Sequence, residues 1–354
     1  MDLEQRVPTL LKRARALLRL QGGPEKELTR HEVKKAAEAV SALHDGLVRD
    51  RALARPETYE GAALGAYLLW WWPQTYLKTR FALRAAPMPR APRILDLGAG
   101  PGPAAIAALD ELGGDAEAVD ANAAALREAQ AIEPRLQLRH EALQPAAASP
   151  RGSPAGAAAA PQLVLAANLL SELPEEARLP LLRSFAGAGA VVLIEPALRE
   201  TGRELLRLRD ALLAEGAFQA LAPCLTQRPC PALVSDKDWC TAELLWKPPR
   251  YFAQLAEATG LRADERLSFA YVVLGPRAAE PAPEVWRVVG TPPPEKGKKR
   301  VFVCSDAGRE ALVRLERDGE LPALQRGDLV QLKGLERRGD GLRAGPSATV
   351  IKLP

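Results

Sequence analysis

The sequence predicts an α/β fold: a mostly parallel sheet of seven strands covered by helices, preceded by a helical region and followed by a small β-rich domain. Three observations predict it. Between residues 93 and 275 short apolar runs alternate with amphipathic stretches, as strand–helix–strand units require. The first of those runs, "RILDLGAG", ends in a glycine-rich turn that opens a helix. Proline-rich stretches, "APMPRAP" (86–92) and "RAAEPAPE" (277–284), bracket the alternating part as linkers.

The elements follow in order. Residues 1–86 read as helical, because "PEKELTRHEVKKAAEAVSALHDGLV" and "GAALGAYLLWWWPQTYLKTRFALRAA" repeat apolar positions at three and four. Pro73 predicts a kink or break in the second of these. Trp70, Trp71 and Trp72 invite a base-stacking role, but adjacent helical residues point in three directions, which favours packing between helices. Strands then fall at "RILDL", "DAEAVD", "LQLRHEAL", "QLVLAA" and "AVVLIEPA", with helices between them. "QPAAASPRGSPAGAAAAP" (144–161) is low-complexity and reads as a surface loop. A sixth strand, "AFQALAPC", runs into a cysteine-bearing segment, and "LSFAYVVLG" (267–275) is the seventh. The remainder reads as a β-rich unit with one helix, "DAGREALVRLERDG". The domain boundaries expected are 1–88, 89–277 with a cysteine insert at 222–248, and 283–354.

Composition limits what such a chain can be. Of 354 residues, 47% are apolar, 26% charged and 5% aromatic, which suits a soluble globular protein. The charged amphipathic start is not a secretory signal, and no apolar run reaches the ~18 residues of a membrane span. A cytoplasmic monomer is expected, in a compartment that keeps thiols reduced. Net charge is +4, unevenly spread: residues 1–95 carry 17 basic and 10 acidic side chains, residues 285–354 carry 14 and 9, and the middle carries 17 and 25. Basic flanks around an acidic centre suit contact with a polyanion, and equally suit ordinary solvated faces.

The glycine turn carries the chemistry. In "LDLGAGPGPAAIAAL" the residues Asp96, Gly98, Gly100 and Gly102 stand between a strand and a helix N-terminus, where backbone can approach a ligand closely. The pattern D-x-G-x-G-x-G differs from the dinucleotide fingerprint G-x-G-x-x-G. It resembles motif I of the S-adenosylmethionine-dependent methyltransferase superfamily, whose sheet is of the Rossmann-like seven-stranded type. Asp120, at the end of "EAVD", matches the carboxylate that receives the ribose hydroxyls. The resemblance therefore implies cofactor binding by Asp96, Gly98, Gly100, Gly102, Asp120 and Asn168. The loop after the fourth strand, "AANLLSEL", supplies Asn168, Ser171 and Glu172 but no Pro-Pro-aromatic platform for amine methylation. Glu195, ending the fifth strand, is either a pocket residue or a cap for the next helix. Asn168 is the one catalytic candidate.

Four cysteines remain: Cys224, Cys230, Cys240 and Cys304. Pro-Cys pairs at Pro223–Cys224 and Pro229–Cys230 suggest a nucleophile, but they follow the sixth strand rather than the fourth. Spacings of five, nine and sixty-three intervening residues lack the tight hooks of structural zinc sites, and a [4Fe–4S] cluster tolerates wider spacing. On spacing alone a metal or cluster, unrelated structural thiols and a redox disulfide all stay open.

Together, "ILDLGAGPG", "NLLSEL", "VVLIEP", "APC…PCP…DWC" and "RVFVC" are similar to the methyltransferase-like family of mitochondrial ribosomal small-subunit assembly proteins and their bacterial relatives. The resemblance spans roughly residues 60–320. It implies a [4Fe–4S] cluster on Cys224, Cys230, Cys240 and Cys304. Zinc is the alternative, and a group held there is expected to clamp the C-terminal β unit to the loop after the sixth strand. The resemblance also implies association with small-subunit rRNA and support of translation. The basic stretch "KGKKR" offers Lys296, Lys298, Lys299 and Arg300 as first phosphate contacts, and equally reads as a solvated turn. Methyl transfer does not follow from the resemblance. An active rRNA methyltransferase, a binding factor without turnover and a small-molecule methyltransferase with an incidental zinc site are the functions expected, in that family's context.

Overall fold

The computed structural model describes residues 1–47, 60–143, 161–263, 265–278, 284–293, 295–339 and 341–353. The alanine-rich stretch 144–160 and part of the second proline-rich linker lie outside the described residues. The chain divides into two compact units, one of residues 1–192 with 244–267 and one of 193–243 with 268–354.

The first unit begins with three helices: α1 (Leu3–Leu18), α2 (Arg30–Asp45) and α3 (Gly61–Arg84). The first two start on capping boxes, Asp2 with Gln5 and Thr29 with Glu32, which satisfy orphan amides at each N-terminus. Pro73 does not break α3, which continues for 24 residues. The tryptophans pack as the helix geometry requires. Trp70 stacks on Phe252 with ring centroids 4.1 Å apart, Trp71 stacks on Tyr67, and Trp72 stacks on Tyr76. Trp72 also donates its indole N–H to the Pro101 carbonyl at 3.0 Å.

The alternation predicted from the sequence is present as β1 (Arg93–Leu97), α4 (Pro103–Leu112), β2 (Asp115–Asp120), α5 (Ala123–Ile132), β3 (Gln137–His140), β4 (Leu163–Ala167), α6 (Glu175–Arg183), β5 (Ala190–Pro196), α7 (Arg199–Ala214) and β6 (Gln219–Ala222). Then come β7 (Ala242–Leu245), α8 (Arg250–Thr259) and β8 (Arg266–Gly275). The sheet order is β3-β2-β1-β4-β5-β8-β6, with β7 paired to β8 as an eighth strand. β1 pairs in parallel with β2 and β4, while β6 and β8 are antiparallel. The order reverses at β1 and β4, which places the carboxyl ends of these strands at a topological switch point, where open α/β sheets bind ligands.

The C-terminal strands form a second sheet: β9 (Val285–Gly290), β10 (Lys298–Ser305), β11 (Gly308–Leu315), β12 (Leu329–Lys333), β13 (Glu336–Arg338), β14 (Gly341–Arg343) and β15 (Thr349–Lys352), in the order β13-β14-β11-β10-β9-β12-β15. The helix expected over "DAGREALVRLERDG" is instead strand β11 and a short 3₁₀ turn. Its Ala, Leu, Glu and Arg favour a helix, but continuous antiparallel pairing with β10 from Ser305–Gly308 to Lys298–Leu315 overrides that preference. Val288, Val303, Leu312 and Val330 are its fully buried centre.

Candidate cofactor site and four-cysteine cavity

In the first unit the glycine turn folds back on itself between β1 and α4. Gly98, Gly100 and Gly102 all have positive φ, at 62°, 53° and 76°. A side chain at Gly98 would meet Leu169 at 2.7 Å, and one at Gly102 would meet Ala129 at 2.9 Å. The motif thus needs glycine for backbone conformation and for space.

Two carboxylates frame this turn. Asp96 is 1% exposed; its Oδ2 accepts the Ala105 amide of α4 at 2.9 Å, and its Oδ1 is buried without a hydrogen-bond partner. Burial, with a smaller contribution from the charge of Asp120, pushes its carboxyl up to about 8. Asp120 spans the turn and the end of β2, accepting the Gly100 amide at 2.7 Å and the Asn122 amide at 2.7 Å. Burial raises its carboxyl as well.

The loop after β4 lies against α3. Asn168 adopts a left-handed backbone, φ 59°, and its side-chain amide donates to the Thr75 hydroxyl at 3.4 Å. Thr75 also hydrogen-bonds the buried Tyr67 hydroxyl, which feels the charges of Glu172, Asp96 and Asp120. Asp96, Gly98, Gly100, Gly102 and Asp120 therefore share one site, with Asn168 joined to it through Thr75 and Tyr67. Tyr67 and Thr75 were missed by the sequence reading; their signal is the i, i+8 spacing on one face of α3. Glu195 is buried at the end of β5, and the N-cap of the following helix is Leu198.

The second unit holds all four cysteines. Cys224, Cys230, Cys240 and Cys304 are free thiols, half-buried, and line one cavity of about 40 Å³. No histidine or carboxylate lines it. Burial first, and then the charge of Cys224, pushes Cys230 up to about 11 and Cys304 up to about 12; Cys240 is raised for the same reasons. Among the described residues no group of three or more Cys, His, Asp or Glu side chains gathers closely enough to hold a metal ion. The thiols thus share a cavity and each other's field without the close gathering a single ion requires.

Arginines hold the cysteine segment in place. Arg203 of α7 donates to the carbonyls of Ser235 at 2.6 Å and Asp238 at 2.8 Å. Arg209, wholly buried, donates to the Thr226 carbonyl, to the Arg228 carbonyl at 2.6 Å and to Asp210. Asp210 in turn accepts the Cys230 amide at 2.8 Å. Thr226 donates to Asp306 at 2.8 Å in the β10–β11 turn. The signal for Arg209 was present, as a charge set on the leucine stripe of α7 formed by Leu205, Leu206 and Leu212.

The glycine turn, the acidic strand end and the sheet order define a chain of the S-adenosylmethionine-dependent methyltransferase fold class. It belongs to the family described as mitochondrial small ribosomal subunit Rsm22, whose model matches residues 62–324. No curated protein matches the chain significantly. Similar solved structures include a TehB-like methyltransferase from Corynebacterium glutamicum, 20% identical over 44% of this chain and 79% of that one, with a TM-score of 0.31. A proposed RNA methyltransferase from Pyrococcus horikoshii is 15% identical over 74% and 96%, with a TM-score of 0.32. A ribosomal protein L11 methylase from Lactobacillus delbrueckii is 15% identical over 57% and 77%, with a TM-score of 0.32. Among the described residues no helix is long and apolar enough to cross a membrane.

Proposed function

We propose that this protein is a cytoplasmic S-adenosylmethionine-binding factor that acts, as a monomer, on small-subunit rRNA during ribosome maturation, and that its four cysteines hold a [4Fe–4S] cluster. The observation that carries this reading is the span of the family match, residues 62–324, which takes in both the glycine turn and every cysteine.

The cofactor fits the residues present. Asp96 has a buried oxygen without a hydrogen-bond partner, next to the glycine turn, where a side chain on Gly100 would meet only open space. Asp96 and the turn would hold the cofactor's polar end, and Asp120 its ribose. When bound, S-adenosylmethionine supplies a methyl group on a sulfonium centre. On the protein's side, Thr75 and Tyr67 orient Asn168, and Asp120 fixes Gly100 by its amide.

The donor set also suits a cluster. Four soft thiols and no hard ligand favour iron–sulfur or zinc. The family resemblance, rather than the donor set, is what favours the cluster over zinc. Anaerobically purified protein is expected to be brown and to contain iron and acid-labile sulfide. Colourless protein with stoichiometric zinc would sink the assignment.

A binding role without turnover is favoured over catalysis by one observation: the Asn168 amide is directed to Thr75, in a loop that lacks a Pro-Pro-aromatic platform. Incubation of immature small subunits with methyl-labelled cofactor separates the two. No label in rRNA is expected, while wild type binds the cofactor and Asp96→Ala does not. Label that disappears with Asp96→Ala would instead establish methyl transfer.

A further inference from the structure

Two strands and a helix bring cations to the cysteine cavity in a way that no single stretch of sequence displays. Cys304 on β10 is the cross-strand partner of Arg287 on β9 and of Arg309 on β11. Directly opposed residues on neighbouring strands project to the same face, and both arginines line the cavity with the cysteines. Arg209 of α7 lines the same cavity.

These arginines differ in how they are satisfied. Arg309 is the most accessible, pairs with Asp238 and lies over the Phe302 ring, 4.6 Å from its centroid. Arg209 is wholly buried and pairs with Asp210, but its Nε has no hydrogen-bond partner. Arg287 is 9% exposed; it donates one N–H to the Gly327 carbonyl at 2.7 Å, and its Nε also lacks a partner. Among the described residues no carboxylate forms an ion pair with Arg287. A buried cation without a counter-ion is expensive, and native structures keep one where an anion will meet it. The cavity contains no carboxylate to play that part. A metal group held by four thiolates does, because the thiolates bring more negative charge than the metal core cancels.

We infer that Arg287 and Arg209, with Arg309 at a more accessible position, are the counter-charges of the group held by the four cysteines, and that they set its reduction potential. The inference rests on the iron–sulfur reading above. Positive charge beside a cluster, and N–H groups directed to its sulfur atoms, stabilise the more negative reduced state and raise the potential. Arg287 contributes most, having no carboxylate to offset it. Arg309 contributes least, since Asp238 already pairs with it and water screens it.

The test is a reductive titration of anaerobically purified full-length protein, followed by the electron paramagnetic resonance signal of the reduced cluster. Arg287→Gln is expected to load iron and sulfide as the wild type does and to show a midpoint shifted to more negative potential. Arg287→Lys should stay nearer the wild-type value, and Arg309→Gln should move in the same direction as Arg287→Gln by a smaller amount. A cluster present in Arg287→Gln with its midpoint unmoved or more positive overturns the inference and leaves the cluster reading standing. If Arg287→Gln fails to fold or to load iron, Arg309→Gln decides, and an unmoved midpoint there overturns the inference. Wild-type protein without iron and sulfide overturns the cluster reading and this inference together.

Discussion

Asp96 shows how one residue, proposed to serve binding, can cost stability. Its carboxyl is pushed from an ordinary 3.8 up to about 8, chiefly by burial. An acid whose folded value lies above its unfolded value loses stability as pH rises past the unfolded value, and the full loss is reached above the folded one. The cofactor-free protein should therefore become less stable from about pH 4 to pH 8 through this residue. Asp96→Asn keeps an oxygen to accept the Ala105 amide and removes the titration. The variant is expected to melt at a higher temperature than wild type at about pH 8, with the difference shrinking toward about pH 5. Equal melting curves across that range would contradict the assignment. Asp96 was legible in the sequence because residue type and spacing along one strand and turn suffice to find it. Arg287 was not. Its role depends on a partner strand, and in "VWRVVG" only the presence of a charge within an apolar run hinted at it.

Individual elements were legible where local pattern and tertiary context agree. The strand–helix alternation from β1 to β6 was read because each segment's periodicity matches its burial. β11 was misread as a helix, since its composition favours one state and its neighbours impose the other. Pro73 was overestimated, because α3 is held by packing on several faces rather than by its own hydrogen-bond ladder alone. The N-terminal helix is fixed by a buried network that local pattern does not announce. Arg6 of α1 reaches Asp110 of α4 at 2.7 Å and Glu133 after α5 at 2.9 Å, with all three side chains nearly inaccessible. Arg6→Ala leaves two buried carboxylates short of a cation, though Tyr76 still donates to Asp110 and Arg135 to Glu133. The expected loss is about 3 kcal/mol, seen as a lower urea midpoint at unchanged slope. Arg84→Ala, which removes an exposed partner of Glu111, should cost less than about 1 kcal/mol. Comparable losses in the two variants would mean that the Arg6 network does not anchor α1.

Over the whole molecule, the uneven charge is the property that bears on a large anionic partner. The C-terminal segment 285–354 carries 14 basic and 9 acidic side chains, yet much of that positive charge is already neutralised. Lys298 pairs with Glu295 at 2.8 Å and Arg300 pairs with the same carboxylate at 3.0 Å. Among the described residues Lys296 and Lys299 form no ion pair, so they are the members of "KGKKR" with charge available for phosphate. Composition alone could not make this distinction, because Glu295 is one residue among several acids until β10 folds back beside it. If the protein docks on small-subunit rRNA through this segment, association should weaken steeply with salt, as released counter-ions dictate. Lys296→Ala with Lys299→Ala should reduce the slope of log affinity against log salt by about 0.7–0.9 for each phosphate that the variant leaves unneutralised. Glu295→Gln should act in the opposite sense, freeing Lys298 and Arg300 and steepening that slope. Sedimentation of the protein with immature small subunits over a series of salt concentrations measures both. A slope insensitive to all three substitutions would place the rRNA-facing surface elsewhere on the protein.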